Sequence, residues 1–155
     1  MTRVPRSKQP SDAADVVSPM SWEITCPASI ASVVEITEGV DKLLDSVSCP
    51  FKAKTQVDVA LDEILSNIAK FAYPGDGGTM TVSAFISHEP LAINITIADE
   101  GAPFNPLLAP EPDTTLPLEK RKVGGLGIML VRKMMDSVSY ERDGSFNLFT
   151  IRKEL

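Results

Sequence analysis

The 155-residue chain is the length of one ordinary domain, and its 43% hydrophobic content is enough to bury a core without metals or cross-links. Acidic residues outnumber basic ones, 21 to 15, for a formal charge of −6, which excludes the broad basic face that counterion-releasing nucleic-acid contacts require. No run reaches transmembrane length, the N-terminus lacks the apolar stretch of a signal peptide, and Cys26 and Cys49 are the only cysteines, so the expectation is a reduced, cytoplasmic protein with no disulfide framework.

Residues 1–20 set Pro5, Pro10 and Pro19 among polar residues without periodicity, and are expected to form a flexible leader outside the fold. Trp22 to Pro27 alternates as a strand does, and Pro27 and Ser29 suit the start of a helix. That helix runs to about Val47, with Ile30, Val33, Val34, Ile36, Val40, Leu43 and Leu44 mostly at helical spacing and Cys49-Pro50 ending it. A second helix over Phe51 to Phe71 carries the clearest periodic stripe: Val57, Ala60, Leu61, Ile64, Leu65 and Ile68.

After the turn cluster from Tyr73 to Gly78 the period changes to two. Met80, Val82, Ala84 and Ile86, then Leu91, Ile93, Ile95 and Ile97, predict a hairpin joined near His88-Glu89-Pro90, with Thr79, Thr81, Ser83, Asn94 and Thr96 turned to solvent. The stretch Gly101 to Val123 holds Pro103, Pro106, Pro110, Pro112 and Pro117 and is too long for a plain connection; residues of about 105–123 are expected to form a functional lid. Gly124 to Gly127 then open a helix, followed by strands at about Ser137 to Glu141 and Phe146 to Arg152 around the hairpin signal Asp143-Gly144. This order predicts an α+β two-layer sandwich, with helices on one face of a mixed, mostly antiparallel sheet.

Three places can carry chemistry. At about 100° per residue, Glu63, Asn67 and Lys70 share one side of the second helix, offering a carboxylate, an amide oxygen and an ammonium. The same spacing also describes an ordinary solvated face with an i, i+4 polar pair. Asp99 is in phase with Ile93, Ile95 and Ile97 and so points to the buried side of its strand end, either to cap the turn at Gly101 or to present an acceptor to a ligand. Gly124-Gly125-Leu126-Gly127 before a helix lets backbone amides approach phosphates, or simply makes a tight turn. It matches neither a Walker P-loop nor a Rossmann fingerprint. Around the single histidine, His88, neither a metal cluster nor a Ser/His/Asp arrangement assembles.

Taken in chain order, Glu63-Ile64-Leu65-Ser66-Asn67, Asp99-Glu100-Gly101-Ala102-Pro103-Phe104 and Gly124-Gly125-Leu126-Gly127 resemble the N box and the two glycine boxes of the GHKL ATPases. Asp62-Glu63 through Ala72-Tyr73 and the entry Gly124 to Ile128 resemble the anti-sigma-factor serine kinase branch of bacteria. The likeness spans residues 21–155. It implies a GHKL-type kinase domain that uses ATP and Mg2+, with Glu63 as general base, Asn67 as a magnesium ligand and Asp99 as acceptor for the adenine amino group. It further implies that Gly101 lets the base approach and that Gly125 and Gly127 line the phosphates, with Phe104, Gly124 and Leu126 in the binding loops. By the same resemblance Lys70 reaches the phosphates and Asn147 lies near adenine. The branch's activity is transfer of the γ-phosphate to a serine of a STAS-domain antagonist, alternating with sequestration of a sigma factor, and its usual assembly is a homodimer. A nucleotide-gated binding module without phosphoryl transfer is the alternative. Phe71, the proline-rich lid and Ala102-Pro103-Phe104 depart from the usual pattern.

Overall fold

A computed structural model describes residue 4 and residues 20–75, 77–108 and 125–155. The chain runs β1 (Ser21–Pro27), α1 (Ile30–Asp45), α2 (Phe51–Phe71), β2 (Thr79–Ser87), β3 (Ala92–Asp99), α3 (Gly125–Met134), β4 (Ser137–Asp143) and β5 (Phe146–Glu154). A single 3-10 turn, Pro106–Leu108, follows β3. All five strands form one sheet in the order β1-β2-β3-β5-β4, and every pairing in it is antiparallel. The predicted two-layer α+β arrangement is therefore present, with a sheet that is antiparallel throughout the described strands.

Local sequence accounts for the breaks. Ser29 stands in extended conformation just before α1, and its hydroxyl meets that of Ser32 at 3.1 Å. α1 stops at a tight turn in which the Cys49 amide returns to the Leu44 carbonyl at 3.2 Å, and Pro50, whose φ of −56° suits a helix entry, starts α2. Between β4 and β5 the turn demands a left-handed residue, and Gly144 supplies it at φ 58°.

The core lies between the helices and one face of the sheet. Ile36, Val40 and Leu44 of α1, Val57, Leu61 and Leu65 of α2, and Val82, Ile95 and Ile97 of the sheet lose all their accessible surface. Burial of one such side chain stabilises the fold by roughly 1.5–3 kcal/mol. Cys26 is buried beneath this layer and Cys49 half-buried, both as free thiols.

The opposite face of the sheet differs from expectation. Thr81 and Thr96, expected in solvent, are buried, their hydroxyls paired across strands with Thr25 at 2.8 Å and Thr150 at 3.0 Å. A period of two separates the faces of a strand but does not say that the second face is wet. Here that face also carries Ala98, Phe146 and Leu148, all buried, with Val4 packed against them. The rest of the expected leader, residues 1–3 and 5–19, lies outside the described residues.

Candidate functional site

Sheet register builds the site from one cross-strand row. Cys26, Met80, Asp99, Asn147 and Arg142 stand opposite one another across β1, β2, β3, β5 and β4, on the face that meets the helices. The next row inward is Ile24, Val82, Ile97, Phe149 and Tyr140. The layer is thus apolar until it reaches the end of β3, where it turns polar over three neighbouring strands. Asp99 is only 7% exposed, as its phase predicted.

A buried carboxylate needs donors. Asp99 Oδ1 accepts from the Gly101 amide at 2.9 Å and from Asn147 Nδ2 at 3.0 Å. Among the described residues, Oδ2 has no hydrogen-bond partner. The first reading of Asp99 therefore holds, since one oxygen caps the Gly101 turn, and the other oxygen is unpaired among the described residues.

Asn147 is engaged at both ends of its amide. Nδ2 also donates to the carbonyls of Gly101 and Ala102 at 3.3 and 3.0 Å. Oδ1 accepts from Tyr140 Oη at 2.5 Å, Arg142 Nη1 at 3.2 Å and the Phe104 amide at 3.3 Å. The Phe104 ring itself is exposed.

α2 contributes the second part. Glu63 Oε1 accepts from Asn67 Nδ2 at 3.0 Å, so the helical spacing does bring the pair together and leaves Asn67 Oδ1 available. A Cβ at Gly127 would fall on the Glu63 carboxylate, which shows how closely the first turn of α3 crosses α2. Farther along α2, a Cβ at Gly101 would strike the Ala72 carbonyl oxygen and meet Asp99 Oδ1 at 2.8 Å. Both positions exclude larger side chains for the same reason, the approach of another segment's backbone or carboxylate.

Lys70 is exposed on the last turn of α2, with no hydrogen bond among the described residues. Gly125, Leu126 and Gly127 form the start of α3, whereas Gly124 lies outside the described residues. Of the segment expected as a lid, Asn105 to Leu108 is described and anchored: Arg132 Nη2 of α3 donates to the Leu107 carbonyl at 2.6 Å and the Leu107 side chain packs on the core. Residues 109–123 lie outside the described residues.

Sequence reasoning missed Tyr73, Tyr140, Arg142 and Arg132. Tyr73 ties the end of α2 to the strands, donating to the Thr79 carbonyl at 2.6 Å and accepting from the Glu100 amide at 2.7 Å. Burial pushes its phenol above the ordinary range. A signal existed for Arg142, which follows Val138 and Tyr140 in the inward phase of β4, where a charge needs a buried partner.

Comparison with known proteins points the same way. The profile described as the histidine kinase-like ATPase domain matches residues 26–153. The chain is 28% identical over 133 residues to the serine-protein kinase RsbW of Halalkalibacterium halodurans, covering 83% of this chain and 80% of that protein. To the serine/threonine-protein kinase BtrW of Bordetella bronchiseptica it is 30% identical over 90 residues, 58% of this chain and 63% of that one. A crystal structure of the RsbU and RsbW domains of a Mycobacterium tuberculosis protein shares the fold with a TM-score of 0.63 at 12% identity, over 87% of this chain and 32% of that one. This chain therefore spans about a third of that solved structure's length.

Proposed function

Because the chain belongs to the histidine kinase-like ATPase domain family, we propose that it is a protein serine kinase of the anti-sigma-factor type. In this reading it transfers the γ-phosphate of ATP to a STAS-domain antagonist and binds a sigma factor in alternation. The observation that carries the reading is the convergence of three segments far apart in sequence: α2 meets Gly127 through Glu63, its C-cap Ala72 meets Gly101, and the Gly101 amide donates to Oδ1 of Asp99.

The residues fit the ligand that the family implies. Asp99 Oδ2, without a partner among the described residues on a side chain that is itself buried, suits the 6-amino group of adenine. The backbone amides of Gly125, Leu126 and Gly127 at the start of α3 suit phosphate oxygens, assisted by the positive end of the helix dipole, and Lys70, exposed on the last turn of α2, would add a charge by the family resemblance. Among the described residues no three His, Cys, Asp or Glu side chains converge on a metal site. Magnesium would therefore be held by Asn67 Oδ1 and by phosphate oxygens, an arrangement this reluctantly dehydrated ion commonly takes. Bound there, it would offset charge on the phosphates during transfer.

The chain's own part in the chemistry falls to Glu63. With Oε1 held by Asn67, Oε2 is free among the described residues to take the proton of an incoming serine hydroxyl as its oxygen bonds to the γ-phosphorus and the bond from that phosphorus to the β,γ-bridging oxygen breaks, releasing ADP. Positioning by α2 and α3 supplies the remainder.

The test is incubation of the full chain with γ-labelled ATP, magnesium and candidate STAS-domain proteins. Label on a serine of the STAS protein is expected. ATP binding without any transferred label would replace the kinase with a nucleotide-gated binding module, and absence of ATP binding would remove both. Among the described residues no helix is long and apolar enough to cross a membrane.

A further inference from the structure

The row that holds Asp99 continues through Asn147 of β5 to Arg142 of β4. Arg142, on the edge strand β4, donates through Nη1 to the Gly101 carbonyl at 2.8 Å and to Asn147 Oδ1 at 3.2 Å, and through Nε to the Gly144 carbonyl at 3.1 Å. Its guanidinium thereby spans from the β4–β5 turn to the loop that leaves β3. Tyr140 adds a second donor to the same Asn147 oxygen. An amide can present either its oxygen or its nitrogen to a given neighbour. With Tyr140, Arg142 and the Phe104 amide all donating on one side, the oxygen must face them, so the NH2 must face Asp99.

That choice has a consequence at Asp99. Its Oδ1 is occupied by two donors, Asn147 Nδ2 and the Gly101 amide, so the carboxylate plane is set and, among the described residues, Oδ2 has no partner. A reversed Asn147 would turn an oxygen on the carboxylate and drive it from this position.

We propose that Arg142 and Tyr140 are positioning residues for nucleobase selection, acting through Asn147 to hold Asp99 so that its Oδ2 accepts from an exocyclic amino group. The inference rests on the nucleotide-site reading above. It makes adenine, which offers an amino group at C6, the base the site takes, and makes hypoxanthine, which has a carbonyl oxygen there, the base it rejects. Asn147 does not itself read the base, since its amide is spent on the protein.

The experiment is calorimetric titration of the full chain with Mg-ATP and with Mg-ITP. The proteins compared are wild type, Tyr140→Phe, which keeps the ring and removes only the donor, and Arg142→Gln. Wild type is expected to prefer ATP, and each variant to lose about tenfold in ATP affinity while changing ITP affinity much less, so that the ATP/ITP ratio falls toward one. A role confined to stability would weaken both nucleotides together. If Arg142→Gln fails to fold, Tyr140→Phe alone decides. A wild-type ratio retained in the folded variants overturns the positioning role and leaves the nucleotide site standing. Failure of the wild type to bind ATP, or equal binding of ATP and ITP, overturns the underlying site and the inference with it.

Discussion

The two helices α1 and α2 shelter polar groups at two places that solve the same problem in opposite ways. At the end of the sheet beside α2, Asp99 and Asn147 are buried, and the protein supplies donors and acceptors to both. At the α1–α2 contact, Asp41 and Asp58 face one another, and the Oδ1 atom of each is buried with no partner among the described residues. Desolvation, followed by the Asp41 carboxyl that faces it, pushes the Asp58 carboxyl up to about 7. The first place is wired so that one oxygen is held by two donors and the other has no partner among the described residues. The second is left to a proton. A buried carboxylate is thus a candidate binding group where its surroundings hold it in one orientation.

If the wired end is the catalytic site, the largest effect should come from Glu63→Gln, which keeps size and helix preference but removes the base. Phosphotransfer to a STAS protein should fall by roughly 10² to 10⁴-fold while Mg-ATP affinity changes far less. Asn67→Ala should lower both, because a metal ligand is lost. Normal turnover by a folded Glu63→Gln protein would exclude the base role and reduce the α2 pair to a structural contact like the one at Asp41 and Asp58.

A smaller effect is expected from Asp99→Asn, which can turn its NH2 toward adenine's amino group. A buried polar mismatch of roughly 1–3 kcal/mol corresponds to about 5 to 150-fold in affinity for ATP. Calorimetry on the folded mutant measures it. Unchanged affinity would mean that the open Oδ2 has no ligand, and the contrast between the two places would disappear.

How much of this was legible depends on the range of the interaction. Helical stripes and strand alternation are local, so α1, α2 and the β2–β3 hairpin, with Asp99 facing inward, follow from spacing alone. The i, i+4 step from Glu63 to Asn67 placed the pair correctly for the same reason. The glycines that matter, Gly101 and Gly127, stand out as residue types, but what makes them necessary is contact with Ala72 and Glu63, which sequence spacing does not contain. Tyr140 and Arg142 reach Asn147 only through the register of β4 on β5. The dry outer face around Thr81 and Thr96 was misread because alternation looks the same whether the second face is covered or wet.

The smallest predicted effect belongs to the other place, and its sign is opposite to that of a salt-bridged acid. Asp58 ionises in the folded state at about 7 and in the unfolded chain near the ordinary carboxylate value, so the folded state holds the extra proton between these limits. Its contribution to stability is complete below the unfolded value and is lost as pH rises through the folded one. Asp41 and Asp45 from α1 raise the cost of ionisation, and Lys54, bound to Asp45 at 3.0 Å, lowers it. Asp58→Asn removes the charge while keeping the shape. The variant should therefore melt higher than wild type at pH 8, and the difference should shrink to nothing by about pH 4. Because Asp58 is partly exposed, solvent screening reduces the gain to roughly 1 kcal/mol, a few degrees in Tm for a domain of this size. Thermal melts of both proteins from pH 4 to pH 8 measure it. A stability difference that does not vary with pH would show that Asp58 holds no extra proton in the fold.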